Sequence, residues 1–268
     1  MDGNGCRLSL LIYNIQYMKY SKSLVLITPL VIFFLFEAFF VNPQWIYFSL
    51  LTSILLIIFS IYQFGKTLGY RRWWSLCILP VFFVTGLAVY SILLPANILI
   101  HFLFVINLFF FFYFLKNVYY YLSEPQKYTG QIQNFSSYGN FLVIFFTSSS
   151  MFGLHSFLNV SVWPLLAIFV GMIFMVLYEV MITNEIPLNK GFLYICIFSL
   201  LLTEIVAGIY FLPLNYNILG LIVAICYYIL IGLLKSHLRQ KLNKQIAKIY
   251  LLFGFAGILI ILLSAQWR

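Results

Sequence analysis

Apolar runs long enough to cross a bilayer follow one another along almost all of this 268-residue chain, and basic residues fall only in alternate gaps between them. A helix needs about 20 apolar residues to traverse roughly 30 Å of hydrocarbon, because each residue advances 1.5 Å. On that measure the sequence predicts nine crossings, at 24–40, 46–64, 74–94, 98–122, 140–158, 162–182, 191–212, 218–234 and 249–264. The runs are continuous and lack the alternation of outer-membrane barrel strands, so helices are expected. The expected fold is all-α: a polytopic transmembrane helical bundle of about nine membrane-spanning helices.

The charges orient it. Arg7, Lys19 and Lys22 precede the first run, and Lys66, Arg71 and Arg72 lie between the second and third. Lys116 and Lys127 flank the link from fourth to fifth, and Lys190 lies between sixth and seventh. Lys235, Arg239, Lys241, Lys244 and Lys248 fill the link from eighth to ninth. The opposite links, around Asn42-Pro43, Pro95-Ala96-Asn97, Asn159 and 213–217, carry no charge, and only Arg268 falls on their side. Basic residues mark cytoplasmic loops, so the N-terminus is expected inside and the C-terminus outside. Removing or adding one crossing in the middle would scramble this segregation, so the charges also support the count.

Composition agrees with this reading. With 64% hydrophobic and 8% charged residues, the chain has too few polar groups to cover a soluble domain of its size. The net charge of +9 belongs to the loops and points to anionic lipid headgroups of the inner leaflet, not to nucleic acid. Phe, Tyr, Ile, Asn and Lys are enriched together while Ala and Arg are scarce, the signature of AT-rich codons. The run 109–112 of phenylalanines is therefore no ligand-stacking device. Cys6, Cys77, Cys196 and Cys226 stand in no metal or redox spacing and read as apolar packing residues. No cofactor motif is present.

Residues 1–23 form an N-terminal cytoplasmic segment ahead of a single transmembrane domain, 24–268. Leu8, Leu11, Ile12, Ile15 and Met18 follow helical spacing, which suits an interfacial amphipathic helix; a start at Met18 reads equally well. The first crossing has no small residues at a cleavage position and is expected to remain as an anchor. The polar stretch 123–137 reads as a cytoplasmic loop. In 235–248, Leu234, Leu238, Leu242 and Ile246 at i+4 spacing suggest a short helix on the inner headgroups, with Lys235, Arg239, Lys241, Lys244 and Lys248 contacting lipid.

Ionisable side chains inside a span are costly and mark candidate sites. Glu179 sits near the inner end of its crossing and is expected to reach the interface. Glu37, His101, His155 and Glu204 occupy similar depths beneath the outer surface on four different helices, and together form the candidate intramembrane polar site. Whether they converge depends on helix packing. His155 and Asn159 make an HxxxN pair, as in CAAX-processing intramembrane proteases, but the adjacent glutamates of that chemistry are missing. A rhomboid-type GxSx, a P-loop, an HExxH helix and the outer-loop acidic pair of polytopic glycosyltransferases are missing too. Ser148, Ser149, Ser150, Gly153 and the Gly220-xxx-Ala224 pair are small residues that permit close helix packing.

Glu204, Phe211-Leu212-Pro213-Leu214-Asn215, Tyr227-Tyr228 and the ending Ser264-Ala265-Gln266-Trp267 carry a resemblance. Over about its last 70 residues, the chain resembles uncharacterised polytopic membrane proteins of small-genome, AT-rich bacteria, a group that brings no activity with it. The expected function is a non-enzymatic, transporter-like or lipid-binding component of the bacterial cytoplasmic membrane. The alternative is a membrane-embedded lipid-modifying enzyme using Glu204 with His101 or His155 as acid and base.

Overall fold

The computed structural model describes the backbone of residues 3–68, 70, 72–240 and 242–265, with side chains from residue 22 onward except those of 188 and 190. The described elements are helical throughout, and no strand occurs among the described residues. They are α1 (Gly3–Val41), α2 (Ile46–Leu68), α3 (Ile78–Ile92), α4 (Asn97–Ser123), α5 (Pro125–Leu158), α6 (Val162–Thr183), α7 (Leu188–Ile209), α8 (Tyr216–Leu238) and α9 (Lys244–Ser264). Each of these nine contains a stretch long and apolar enough to cross a membrane.

Three boundaries differ from the sequence reading. First, α1 runs unbroken through the expected start of the first crossing at 24, with Pro29 inside it. Second, the stretch read as the loop 123–137 is helical from Pro125, so α5 is a 34-residue helix. Proline at the first helical position gives up no hydrogen bond and presets φ, so the polar sequence after it continues as helix. Aromatic contacts hold this extension: Tyr120 stacks on Tyr128, and Phe135 packs against Phe110 and Phe114. Third, no separate helix fills 235–248. Residues 235–238 finish α8, 244–248 open α9, and Gln240 with φ of 55° turns the chain between them.

Contacts divide the chain into two compact units, Met1–Val84 with Pro95–Phe135 and Thr85–Leu94 with Ser136–Arg268. In the first unit α1 packs on α2 and α4. Ile32, Phe36, Ile57, Ile61, Phe83, Phe104 and Phe111 are fully buried. Phe36 meets Phe104 edge-on at 5.2 Å between centroids, and Phe83 stacks on Phe110 at 3.7 Å. The hydroxyls of Thr28 and Ser60 bond across α1 and α2 at 2.8 Å, satisfying two polar groups that lipid cannot.

In the second unit α6 to α9 pack in chain order, each on the next. The expected small-residue contacts are present here. Ser148 Oγ donates to the Gly220 carbonyl (3.3 Å) and Ser150 Oγ to the Gly86 carbonyl (3.5 Å). Gly220 lies against the backbone of Ser149, and Gly153 against Leu93. Without a hydrophobic force between helices in lipid, such close backbone approach supplies the packing energy.

Candidate functional site

The best-built polar constellation centres on Glu179, the intramembrane acid that the sequence reading set aside as interfacial. It is buried (3% exposed), one turn before the end of α6. Its Oε1 accepts from Ser136 Oγ at 2.8 Å and from Thr183 Oγ1 at 2.7 Å. Its Oε2 accepts from Asn140 Nδ2 at 2.8 Å. Ser136 and Asn140 are one turn apart on α5, as Glu179 and Thr183 are on α6, so two i,i+4 pairs face each other. Three donors satisfy both oxygens of this buried carboxyl group. Lys235, in the last turn of α8, supplies the opposite charge: it attracts Glu179 and donates to Ser137 Oγ at 2.7 Å. A second bridge lies beside it. Arg239 Nη2 donates to Asn184 Oδ1 (2.9 Å), while Asn184 Nδ2 donates to the Val180 carbonyl (2.8 Å). Side chains of α5, α6 and α8 are thus tied together at the basic end of the unit.

The same two basic residues look onto a groove between α8 and α9. It has a volume of about 770 Å³, with Lys235, Ser236 and Arg239 at one end. Its walls are mostly apolar, formed by Ile225, Ile249 and Phe253, with Gly254 and Gly257 of α9 further along it. Of the other residues expected to touch headgroups, Lys244 and Lys248 are exposed in the first turns of α9, and Lys241 lies outside the described residues.

Of the four outer candidates, Glu37 and His101 lie in the first unit and His155 and Glu204 in the second. Glu37 and His101 pair, with the His101 Nδ1 2.9 Å and 3.1 Å from the two carboxylate oxygens. Phe40 packs edge-on against the imidazole at 4.5 Å. Both side chains are partly exposed, near the charge-free ends of α1 and α4. His155 is held by two partners: its Nδ1 donates to the Val160 carbonyl at 2.8 Å, and its Nε2 shares a hydrogen bond with the Tyr210 hydroxyl at 2.5 Å. Both nitrogens are occupied, which leaves none for an acid–base partnership with Glu204. Asn159 follows the end of α5 with φ of 51°, and its backbone N–H meets the His155 carbonyl at 3.0 Å. The HxxxN spacing is therefore a helix cap, not a pair of side chains on one face. Glu204 is exposed on α7 and makes no hydrogen bond or ion pair among the described residues.

Sequence reasoning missed the Glu179 site, although two signals for it were present. Ser136-xxx-Asn140 and Glu179-xxx-Thr183 are polar pairs at one-turn spacing. Reading 123–137 as loop cut Ser136 away from its helix and concealed the first of them.

Nine helices among the described residues are long and apolar enough to cross a membrane, and they define a multi-pass α-helical membrane protein. Within that class the chain belongs to the family described as a protein of unknown function (DUF5656), which matches residues 62–264. No curated protein and no solved structure matches the chain.

Proposed function

We propose that this protein is a non-enzymatic, lipid-binding component of the bacterial cytoplasmic membrane, with its N-terminus inside and its C-terminus outside. It holds an anionic phospholipid in the α8–α9 groove. The observation that carries this reading is the pairing of a basic mouth with apolar walls in one groove. Lys235 and Arg239 suit a headgroup phosphate, and the apolar side chains of Ile225, Ile249 and Phe253 suit an acyl chain. Both cations are fixed by neighbours, Lys235 by Ser137 and Arg239 by Asn184, so little side-chain freedom is lost on binding. A transporter-like role belongs to the same non-enzymatic class, but the groove favours lipid. The enzymatic alternative in its His155 form is disfavoured by the ligation of both His155 nitrogens.

Each basic residue near the headgroups is worth about 1 kcal/mol toward anionic lipid. The Lys235→Met, Arg239→Met double variant is therefore expected to bind phosphatidylglycerol about 30-fold more weakly in nanodisc titrations, with little change for phosphatidylcholine. Equal affinity of the native protein for the two lipids would refute the reading.

Orientation has a separate test. A cytoplasm-active reporter fused after Lys241 is expected to work, and a periplasm-active one only when fused at Arg268. The opposite pattern would reverse the topology.

A further inference from the structure

The groove between α8 and α9 carries a second polar tier, deeper than its basic end. Tyr228 of α8 and Tyr250 of α9 both line it. Their ring centroids are 6.0 Å apart, and the Tyr228 hydroxyl interacts electrostatically with those of Tyr250 and of Tyr138 on α5. Both rings are held in place. Phe141 packs edge-on against Tyr228 at 6.5 Å. A Cβ added at Gly232 would overlap the ring of Tyr250, so that ring lies directly on the backbone of α8. The phenols are part of the groove's walls and lose little freedom when a ligand binds.

Depth follows from helical rise. Lys235 lies in the last turn of α8 and Arg239 caps it. Gly232, where the Tyr250 ring rests, precedes Lys235 by three residues, about 4.5 Å along the axis, and Tyr228 precedes it by seven, about 10 Å. The phenols therefore stand on the membrane side of the cations. Past Tyr228 the groove continues to Ile225, about 21 Å from Arg239 along α8, which exceeds the roughly 15 Å of hydrocarbon in one leaflet.

A ligand that matches this wall presents its groups in the same order: an anion, then hydrogen-bond acceptors about a turn further in, then an apolar chain. Among the described residues, no hydrogen bond joins the hydroxyl of Tyr228 or Tyr250 to the protein. A phenol in an apolar setting takes an acceptor for its O–H. Diacyl glycerophospholipids have this order. Their phosphate is followed by ester carbonyls on the neighbouring glycerol carbons, and these by the acyl chains. The ether-linked analogue keeps the phosphate and the chains but lacks the carbonyls.

We propose that Tyr228 and Tyr250 donate to the ester carbonyls of a glycerophospholipid whose phosphate lies at Lys235 and Arg239, so that the groove selects ester-linked over ether-linked lipid of equal charge. This rests on the lipid reading of the groove and adds the linkage it recognises.

Displacement of a tail-labelled fluorescent phosphatidylglycerol from the protein in detergent micelles tests it. One net hydrogen bond is worth about fivefold in affinity, so ester-linked phosphatidylglycerol is expected to displace the probe at about tenfold lower concentration than its di-O-alkyl analogue of equal chain length. The Tyr228→Phe, Tyr250→Phe double variant keeps both rings and removes both hydroxyls, and is expected to bring the two lipids within about twofold of each other. Equal displacement of the native protein's probe by ester and ether phosphatidylglycerol, with phosphatidylcholine weaker, would overturn the proposal and leave the lipid reading standing. Equal displacement by all three would overturn both. An ester preference that survives undiminished in the double variant would remove the tyrosines from the recognition and overturn the proposal as well.

Discussion

Replacing Glu179 with alanine is expected to cost about 3–5 kcal/mol of folding free energy, the range for removing one partner of a buried charged cluster. The carboxylate accepts from Ser136, Thr183 and Asn140 and faces the charge of Lys235. Alanine removes all of these at once. Three donors lose their acceptor in a place without water, and the Lys235 ammonium loses its counter-charge. Glu179→Gln is expected to cost less, about 1–2 kcal/mol, because the amide keeps the shape and one acceptor. Its NH2 would oppose that of Asn140, but the Asn140 Oδ1 has no partner, so a flip of that amide restores a bond. Unfolding of the detergent-solubilised protein in a graded SDS titration measures both values. The double variant Glu179→Ala, Lys235→Met should recover part of the loss, since it also removes the stranded cation. A loss below about 1 kcal/mol for Glu179→Ala would mean that the cluster is not a buried charge network.

How much of this was legible in the sequence depends on which physical quantity the sequence carries. Span positions follow from hydropathy, because a run of apolar residues has only one comfortable solvent. The sequence ranges 162–182 and 191–212 accordingly lie within about three residues of the ends of α6 and α7. Polar helix has no such signature. The Gln, Asn and Ser residues of 123–137 look like loop, and only the stacking of Tyr128 and Phe135 on distant rings makes them helix. That one error propagated to the site, because Ser136 lies in the stretch. Glu179 was misjudged for a different reason. Counting residues to the helix end put it near water, but a carboxylate is short and its Cβ leans toward the helix N-terminus, into the unit. The four outer ionisable residues were picked out by depth alone. Their pairing of Glu37 with His101 was not legible, since depth is a one-dimensional quantity and contact also needs azimuth.

The second large effect is expected at Gly220, where α8 crosses α5. A Cβ there would stand 2.8 Å from the backbone nitrogen of Ser149 and 2.9 Å from its Cα, and would overlap its hydroxyl. Backbone atoms cannot turn aside as a flexible side chain does, so the helices must separate. Gly220→Ala is expected to cost about 1–3 kcal/mol, the usual range for overpacking, and Gly220→Leu to exceed it. Separation would also stretch the bond from Ser148 Oγ to the Gly220 carbonyl, already 3.3 Å. Two controls isolate the cause. Ser149→Ala removes the overlapping hydroxyl but not the backbone contact, so combined with Gly220→Ala it should restore only a fraction. Gly171→Ala, on α6 where an added Cβ meets nothing within 4 Å, should be neutral or stabilising by up to about 1 kcal/mol through helix propensity. The same SDS titration separates these outcomes. If Gly171→Ala and Gly220→Ala behaved alike, helix propensity and not the contact with Ser149 would govern the position, and the α5–α8 crossing would have to be looser than the close approach described above.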